Sequence, residues 1–404
     1  MKLLFVFSLV FVLLSTGCVG RTATAERAET QPNGNVQPMP EISPQLMSTI
    51  FVESTDGTDD GVVRLVNSMK EHGLDFYGLI APNDVVLLKI NAQWAERGGT
   101  NTDLIKGVIQ AIIEHPLGFT GEVIVADNGQ AQFGSPGPGG VRAGGSLDWA
   151  QANSACRTQS TLDVIRIFQD RGYNVTGVLW DEFTRVSVQE FNAGDMTDGF
   201  VVGDYRHSTG LEISYPKFTT EFGTHVSFKK GIWNEEEQTY DSERLKVINM
   251  PVLKSHGLFQ VTAAVKNYMG VPSDMLTGRR PHNSVGVGGM GTLMVNTRMP
   301  ILNILDMIWV GVERGPNSAF NTAREVNKVA AAIDAVALDH WAAGNILMPA
   351  VAELPGGRAP SMNPDGTEPG TFGHWLRLSK EEILRAGFWA TMDISEMTIV
   401  DNSL

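Results

Sequence analysis

The sequence predicts an α/β fold: a mainly parallel sheet flanked by helices, with an antiparallel β insertion. Two runs carry the parallel part. Val85 to Ile90 reads VVLLKI, apolar on both faces until Lys89, as in a parallel strand covered on both sides. A helical pattern from Leu104 to Glu114 and a second apolar run from Glu122 to Ala126 then complete one βαβ unit. The third observation is a change of texture over residues 181–243. There Val186–Val188, Phe200–Val202, Leu211–Tyr215 and Thr224–Lys229 alternate and are split by Gly, Asp and Asn, which reads as short antiparallel strands.

The chain begins with a different kind of segment. Residues 3–14, LLFVFSLVFVLL, form an apolar run after Lys2 that is too short to span a bilayer and suits the core of a signal peptide. Ser15-Thr16-Gly17-Cys18 follows, and small residues ahead of a cysteine resemble the bacterial lipobox. Residues 1–18 are therefore expected to be a lipoprotein-type signal peptide with Cys18 as the lipidated (palmitate-bearing) residue; ordinary secretion is the alternative. Residues 19–45 are polar, carry Pro32, Pro38, Pro40 and Pro44, and read as a flexible tether. The α/β domain is expected over residues 46–404.

Of 404 residues, 42% are hydrophobic and 19% charged, as in a globular chain, and the formal net charge is −14. Such an acidic whole argues against a nucleic-acid partner, whose binding rests on phosphate neutralisation. Once Cys18 is set aside, Cys156 is the remaining cysteine. A single thiol excludes an intramolecular disulfide and a cysteine-ligated iron–sulfur or zinc cluster. Cys156 itself reads as a small buried hydrophobe.

Taken in order, Leu65 to His72 is helical and Val85–Ile90 is the first clear strand. Thr100-Asn101-Thr102-Asp103 is an N-cap cluster for the helix that begins at Leu104. Asp127 ends the next strand. Residues 134–146, GSPGPGGVRAGGS, hold no phosphate-binding fingerprint and read as linker or mobile loop. Leu162–Arg171 is a helix and Val175–Trp180 a strand. Val247–Leu253 is a buried strand interrupted by Asn249 and Pro251. Gln260–Tyr268 reads as a short helix stopped at Gly270, with Thr262 and Lys266 four apart on one face. Ile301–Trp309 is an apolar segment containing Asp306. Val329–Ile333 is a strand, Asp334 an N-cap, and Ala335–Ala343 a helix stopped by Gly344. Residues 353–370 are a loop. Ser379 and Glu382 form a capping box for Ser379–Ala386, and Met397–Val400 is the last strand.

The stretch from Val247 to Gly270, VINMPVLKSHGLFQVTAAVKNYMG, organises the chemistry. Lys254, Ser255 and His256 stand where the strand should end, and Lys266 and Asn267 follow close by. In open α/β sheets ligands bind outside the carboxyl ends of the strands. Two lysines at one such junction need a carboxylate of the protein or an anionic ligand between them.

The order of motifs resembles a bacterial and archaeal family known as domain of unknown function 362. The matching residues are Lys89-Ile90-Asn91 with Thr100–Thr102, Val252-Leu253-Lys254-Ser255-His256, Thr262-Ala263-Ala264-Val265-Lys266-Asn267 with Gly270, and His282-Asn283. Asp306, Gly315-Pro316, Asp334 and Asp339 complete the pattern. The resemblance implies an α/β fold and no established reaction. Some family members carry ferredoxin-type cysteine motifs, which this chain lacks, so no iron–sulfur cluster is expected.

These readings define an expected site. Lys254, His256 and Lys266 are the catalytic candidates, with His256 or His282 able to move a proton near neutral pH. Lys89, Asn91, Thr262, Asn267, His282 and Asn283 are expected to bind ligand. Asp127, Asp306, Asp334 and Asp339 are candidate oxygen ligands for a divalent Mg²⁺ or Ca²⁺, or else caps and ion-pair partners. The function expected is an extracytoplasmic, lipid-anchored enzyme of the bacterial cell envelope acting on a small anionic substrate. A non-catalytic anion- or sugar-binding lipoprotein is the alternative, and an envelope scaffold a third reading.

Overall fold

The computed structural model describes residues 42–56, 60–93, 98–129, 145–148, 154–155, 158–278, 280–313, 323–356 and 358–403. The expected signal peptide with Cys18, most of the tether, Cys156, all but the last two residues of the 134–146 segment, and Gly315-Pro316 lie outside them. Among the described residues, no helix is long and apolar enough to cross a membrane.

The large sheet is built from β1 (Thr49–Ser54), β2 (Val85–Lys89), β3 (Glu122–Asp127) and β4 (Asn174–Leu179), then, after the insertion, from later strands. The insertion is a separate antiparallel sheet: β5 (Gly199–Arg206), β6 (Glu212–Thr219), β7 (His225–Ser227), β8 (Gly231–Asn234) and β9 (Thr239–Asp241), each paired with the next. The chain returns to the large sheet through β10 (Leu245–Asn249), β11 (Val252–His256) and β12 (Gln260–Thr262). The sheet is completed by β13 (Leu302–Gly311), β14 (Arg324–Ala332) and β15 (Thr398–Asp401). Its order is β15-β1-β14-β13-β10-β2-β3-β4. The pairs β13–β10, β10–β2, β2–β3, β3–β4 and β1–β15 are parallel, whereas β13–β14 and β14–β1 are antiparallel. The architecture is thus the mostly parallel, helix-flanked sheet with an antiparallel β insertion that the sequence predicts.

Strand burial explains the hydrophobic runs. Leu87, Ile124 and Val247 point into one core, with the insertion's Phe200, Phe218 and Ile232. Val86, Leu88, Val125 and Ile248 point into the other, against the helix Thr102–Ile113. Both faces are therefore covered, as the unbroken apolar strands require.

Several local readings are corrected. Gln260–Thr262 is a strand, not the start of a helix: it pairs antiparallel with β11 in the register Lys254↔Thr262, Ser255↔Val261, His256↔Gln260. Gln260 enters it at φ 67°. The helix is only Ala264–Asn267, followed by a tighter turn to Gly270. Gly344 does not stop the helix Ala335–Ala342, which continues through a wider turn, Ala343–Leu347, into Met348–Ala352. Ser379 is no cap either; it lies buried within the helix Phe372–Arg385. Pro251 does interrupt its strand. The ladder breaks between Asn249 and Val252, and the Pro251 carbonyl accepts from the Asp306 N–H at 2.9 Å.

Candidate functional site

The site forms at the carboxyl ends of β2, β3 and β10, where β11, paired in parallel with β13, turns back as a hairpin with β12. Lys254 and His256 are two apart on β11, and Thr262 opposes Lys254 directly, so these three side chains leave one face of the hairpin. Immediately after β12 the helix Ala264–Asn267 brings Lys266 and Asn267 to the same place. A cleft with about 430 Å³ of empty space, solvent included, is lined by Asn91, Asp127, Lys254, His256, Thr262 and Lys266, and also by Gln93, Asn267, Met269, Gly270 and His282.

Beneath it lies a chain of asparagines that fixes the strand ends. Asn267 Nδ2 donates to Asn249 Oδ1 at 2.8 Å and to the Lys89 carbonyl at 3.2 Å. Asn249 Nδ2 donates to Asn303 Oδ1 at 2.9 Å and to the Ala264 carbonyl at 3.0 Å. Asn303 Nδ2 donates to the Ile333 carbonyl at 2.9 Å. Buried amides satisfied in this way tie the helix of Lys266 to three strands.

Lys89 is fully buried, and its Nζ donates to Asp127 Oδ1 at 2.6 Å and to the Ile90 carbonyl at 2.8 Å. Burial pulls its pKa down and the Asp127 charge opposes that pull. The other Asp127 oxygen accepts from the Ala92 N–H at 2.7 Å. Gly270 closes over this pair. A Cβ there would stand 2.4 Å from Asp127 Oδ1 and 2.8 Å from Lys89 Nζ, so no larger residue fits without displacement. The Trp180 indole N–H holds the Gly270 carbonyl at 2.8 Å. Lys89 therefore builds the floor of the cleft and is not among its lining residues, in contrast to the ligand-binding role expected of it.

The two remaining lysines differ. Lys254 is buried; its Nζ donates to the Gly98 carbonyl at 2.6 Å and lies 3.4 Å from Asn91 Oδ1. Burial depresses its pKa most, followed by the charge of Lys266. Lys266 is 6% exposed and, among the described residues, makes no ion pair or hydrogen bond through Nζ; the Phe259 ring lies 5.5 Å away. Desolvation brings it down to about 8. The hydroxyl of Thr262 is buried and, among the described residues, has no hydrogen-bond partner. His256 Nδ1 accepts from the Phe259 and Leu258 N–H groups at 3.0 and 3.1 Å, so the neutral ring carries its proton on Nε2. Burial, then the charges of Lys266 and Lys254, push its pKa far below the ordinary histidine range. The Arg358 guanidinium braces the hairpin through the His256 carbonyl at 3.0 Å and Gln260 Oε1 at 3.3 Å.

His282 reaches the cleft from the helix Arg280–Ser284, and its Nδ1 is bonded to the buried carboxylate of Asp274. Asn283, next to it, is exposed and is not among the lining residues, so the ligand-binding role expected of it is not supported.

The four aspartates grouped as metal ligands are not brought together. Asp339 accepts from the Ala264 and Val265 N–H groups at 2.6 and 2.9 Å and thereby caps the helix of Lys266. Asp334 caps the helix Ala335–Ala342 through Val336 and Ala337 at 2.8 and 3.0 Å and also accepts from the Thr391 N–H at 2.7 Å. Asp306 accepts from the Asn101 N–H at 2.8 Å and the Ile308 N–H at 3.0 Å. Burial raises Asp306 and Asp334 to about 6 and Asp339 to about 7. Among the described residues, no group of three His, Cys, Asp or Glu side chains could hold a metal ion. These carboxylates, already engaged by backbone N–H groups or by Lys89, do not fit the divalent-ion site expected of them.

Sequence reasoning missed Asp274, which carried no signal beyond its place behind the N-cap Ser273. It also took Asn249 only as a strand breaker and passed over Asn303 and Arg358.

Comparison with known proteins adds a family. The thylakoid-associated protein sll1697 of Synechocystis is 32% identical over 126 residues, which cover 28% of this chain and 39% of that protein. The chain thus spans about two fifths of the length of this curated relative. No solved structure matches significantly. The family model described as "Domain of unknown function (DUF362)" matches residues 242–344, the stretch that supplies Lys254, His256, Thr262, Lys266, Asn267 and His282. Over those residues the chain carries the domain of unknown function 362.

Proposed function

We propose that the cleft binds a small anion between Lys254 and Lys266, and that the protein acts on that anion as an enzyme. The observation that carries this reading is Lys266: a buried lysine, beside a second buried lysine, with no carboxylate or carbonyl on its ammonium among the described residues. Buried charges are ordinarily paired, and an anionic ligand would supply the missing partner. The partnerless Thr262 hydroxyl and the Nε2–H of neutral His256 offer further donors from the same hairpin face. Catalysis, in preference to simple capture, is favoured by the Asp274–His282 pair at the rim. A carboxylate on Nδ1 orients the ring, as in pairs that move protons.

An envelope location with a lipid anchor at Cys18 belongs to the same proposal, motivated by the apolar run and the small residues before that cysteine. The name of the Synechocystis relative, a thylakoid-associated protein, is consistent with a membrane setting.

The test is a thermal-shift panel of phosphate, sulfate, phosphate esters and small carboxylates, with product analysis of every stabilising compound by NMR. Stabilisation followed by turnover that His282→Ala abolishes supports an enzyme. Stabilisation without turnover reduces the reading to a binding protein, and no stabilisation removes it.

A further inference from the structure

We propose that Lys266 is an amine nucleophile that forms a Schiff base with a small 2-oxo carboxylate, whose carboxylate group is held by Lys254. This rests on the anion-binding reading above and gives the two lysines separate tasks. Their surroundings make the division. Lys254 donates to the Gly98 carbonyl at 2.6 Å, with Asn91 Oδ1 at 3.4 Å, and such acceptors favour the ammonium form. Among the described residues Lys266 has no acceptor, and Lys254 lines the same cleft. A lysine desolvated without an acceptor favours the neutral amine, the form that attacks a carbonyl. Desolvation brings Lys266 to about 8; Lys254 is pushed down too, by burial and by the charge of Lys266, and the substrate carboxylate restores its ammonium form.

The rest of the lining supplies what the step needs. In it, the Lys266 nitrogen bonds to the keto carbon and the carbonyl π electrons move to oxygen. The amine gives up its two protons, and the oxygen departs as one water, leaving C=N. No oxidant or reductant takes part. His256 carries a proton on Nε2 and lines the cleft, so it can hydrogen-bond to the departing oxygen, which takes its two protons from the amine. His282, which Asp274 orients and which lines the same cleft, stands where a proton passes from the attacking amine to that oxygen. The Thr262 hydroxyl, opposite Lys254 in the hairpin register and without a partner, can hold the second oxygen of the carboxylate.

The experiment incubates the full chain with pyruvate, glyoxylate or the uncharged ketone acetone, adds sodium borohydride to reduce any imine, and maps the adduct by peptide mass spectrometry. Expected is one adduct per chain on Lys266, at least tenfold more with the oxo acids than with acetone, and suppressed by excess phosphate. Lys266→Arg, which keeps the positive charge, should lose the adduct while still showing weakened but measurable anion binding in calorimetry. Lys254→Gln should reduce the yield about tenfold without moving the adduct. Circular dichroism of each variant checks that it is folded. Reduction products on Lys254, or spread over exposed lysines, overturn the assignment. Anion binding by wild type with no adduct rejects the Schiff base and leaves the anion site standing; absence of both rejects the two together.

Discussion

Lys254 and Thr262 stand opposite each other across the β11–β12 hairpin, and this pairing sets the character of the cleft. It places a tied ammonium beside an untied hydroxyl on one face. The chain then needs only the turn at Ala263 to bring Lys266 into the same space. The carboxyl ends of the parallel strands supply the floor, through Lys89, Asp127 and Asn249.

Gly270 is predicted to be irreplaceable. Gly270→Ala would drive a methyl group into the Lys89–Asp127 pair at 2.4 and 2.8 Å. Overpacking of this kind costs about 1–3 kcal/mol. Urea unfolding should show that loss, and a variant within about 0.3 kcal/mol of wild type would contradict the close approach.

The pH dependence of stability should carry the mark of Asp339. An unfolded aspartate titrates near 3.8, whereas Asp339 in the fold titrates at about 7 because burial disfavours its charge. Between these values the folded state holds a proton that the unfolded state has released. The stabilising contribution is therefore complete below about pH 4 and is lost as pH rises through about 7. Asp334 and Asp306, at about 6, act in the same sense. Melting temperatures from pH 5 to pH 8 should fall less steeply for Asp339→Asn than for wild type, even though the variant loses part of its helix cap. Parallel curves would contradict the assignment.

Much of the fold was legible in the sequence because its strands are buried on both faces and read as unbroken apolar runs. Val85–Ile90 and Glu122–Ala126 are examples, each followed by a polar residue at the sheet edge. The hairpin was not legible. Val261, Ala264 and Val265 repeat at helical spacing, and what makes Gln260–Thr262 a strand is tertiary: its ladder to β11 and the grip of Arg358 on Gln260. The aspartates failed for a related reason. A lone carboxylate reads equally as ligand or cap, and the N–H groups that settle Asp339 lie 75 and 74 residues away in sequence. Lys254, His256 and Lys266 could be named because they crowd one stretch, and His282 from the family pattern, but the difference between the two lysines depends on the Gly98 carbonyl, which only folding brings to Lys254.

The proposed anchor has its own test. Cys18→Ser should move the protein from the membrane fraction to the soluble fraction, or block processing, on cell fractionation and intact-mass measurement. Unchanged fractionation with unchanged mass would refute the lipid anchor.

The account's central claim is that the buried lysines jointly hold an anion, and isothermal calorimetry tests it most directly. Phosphate, sulfate and small carboxylates would be titrated into wild type, Lys254→Ala and Lys266→Ala. A charge-assisted contact is worth ~1.5–3 kcal/mol, so either single substitution should weaken binding roughly ten- to a hundredfold. The double variant should lose less than the sum, since both lysines act on one ligand. No heat of binding by wild type to any of these anions, with both single variants merely less stable, would contradict the claim and make the lysines elements of structure alone.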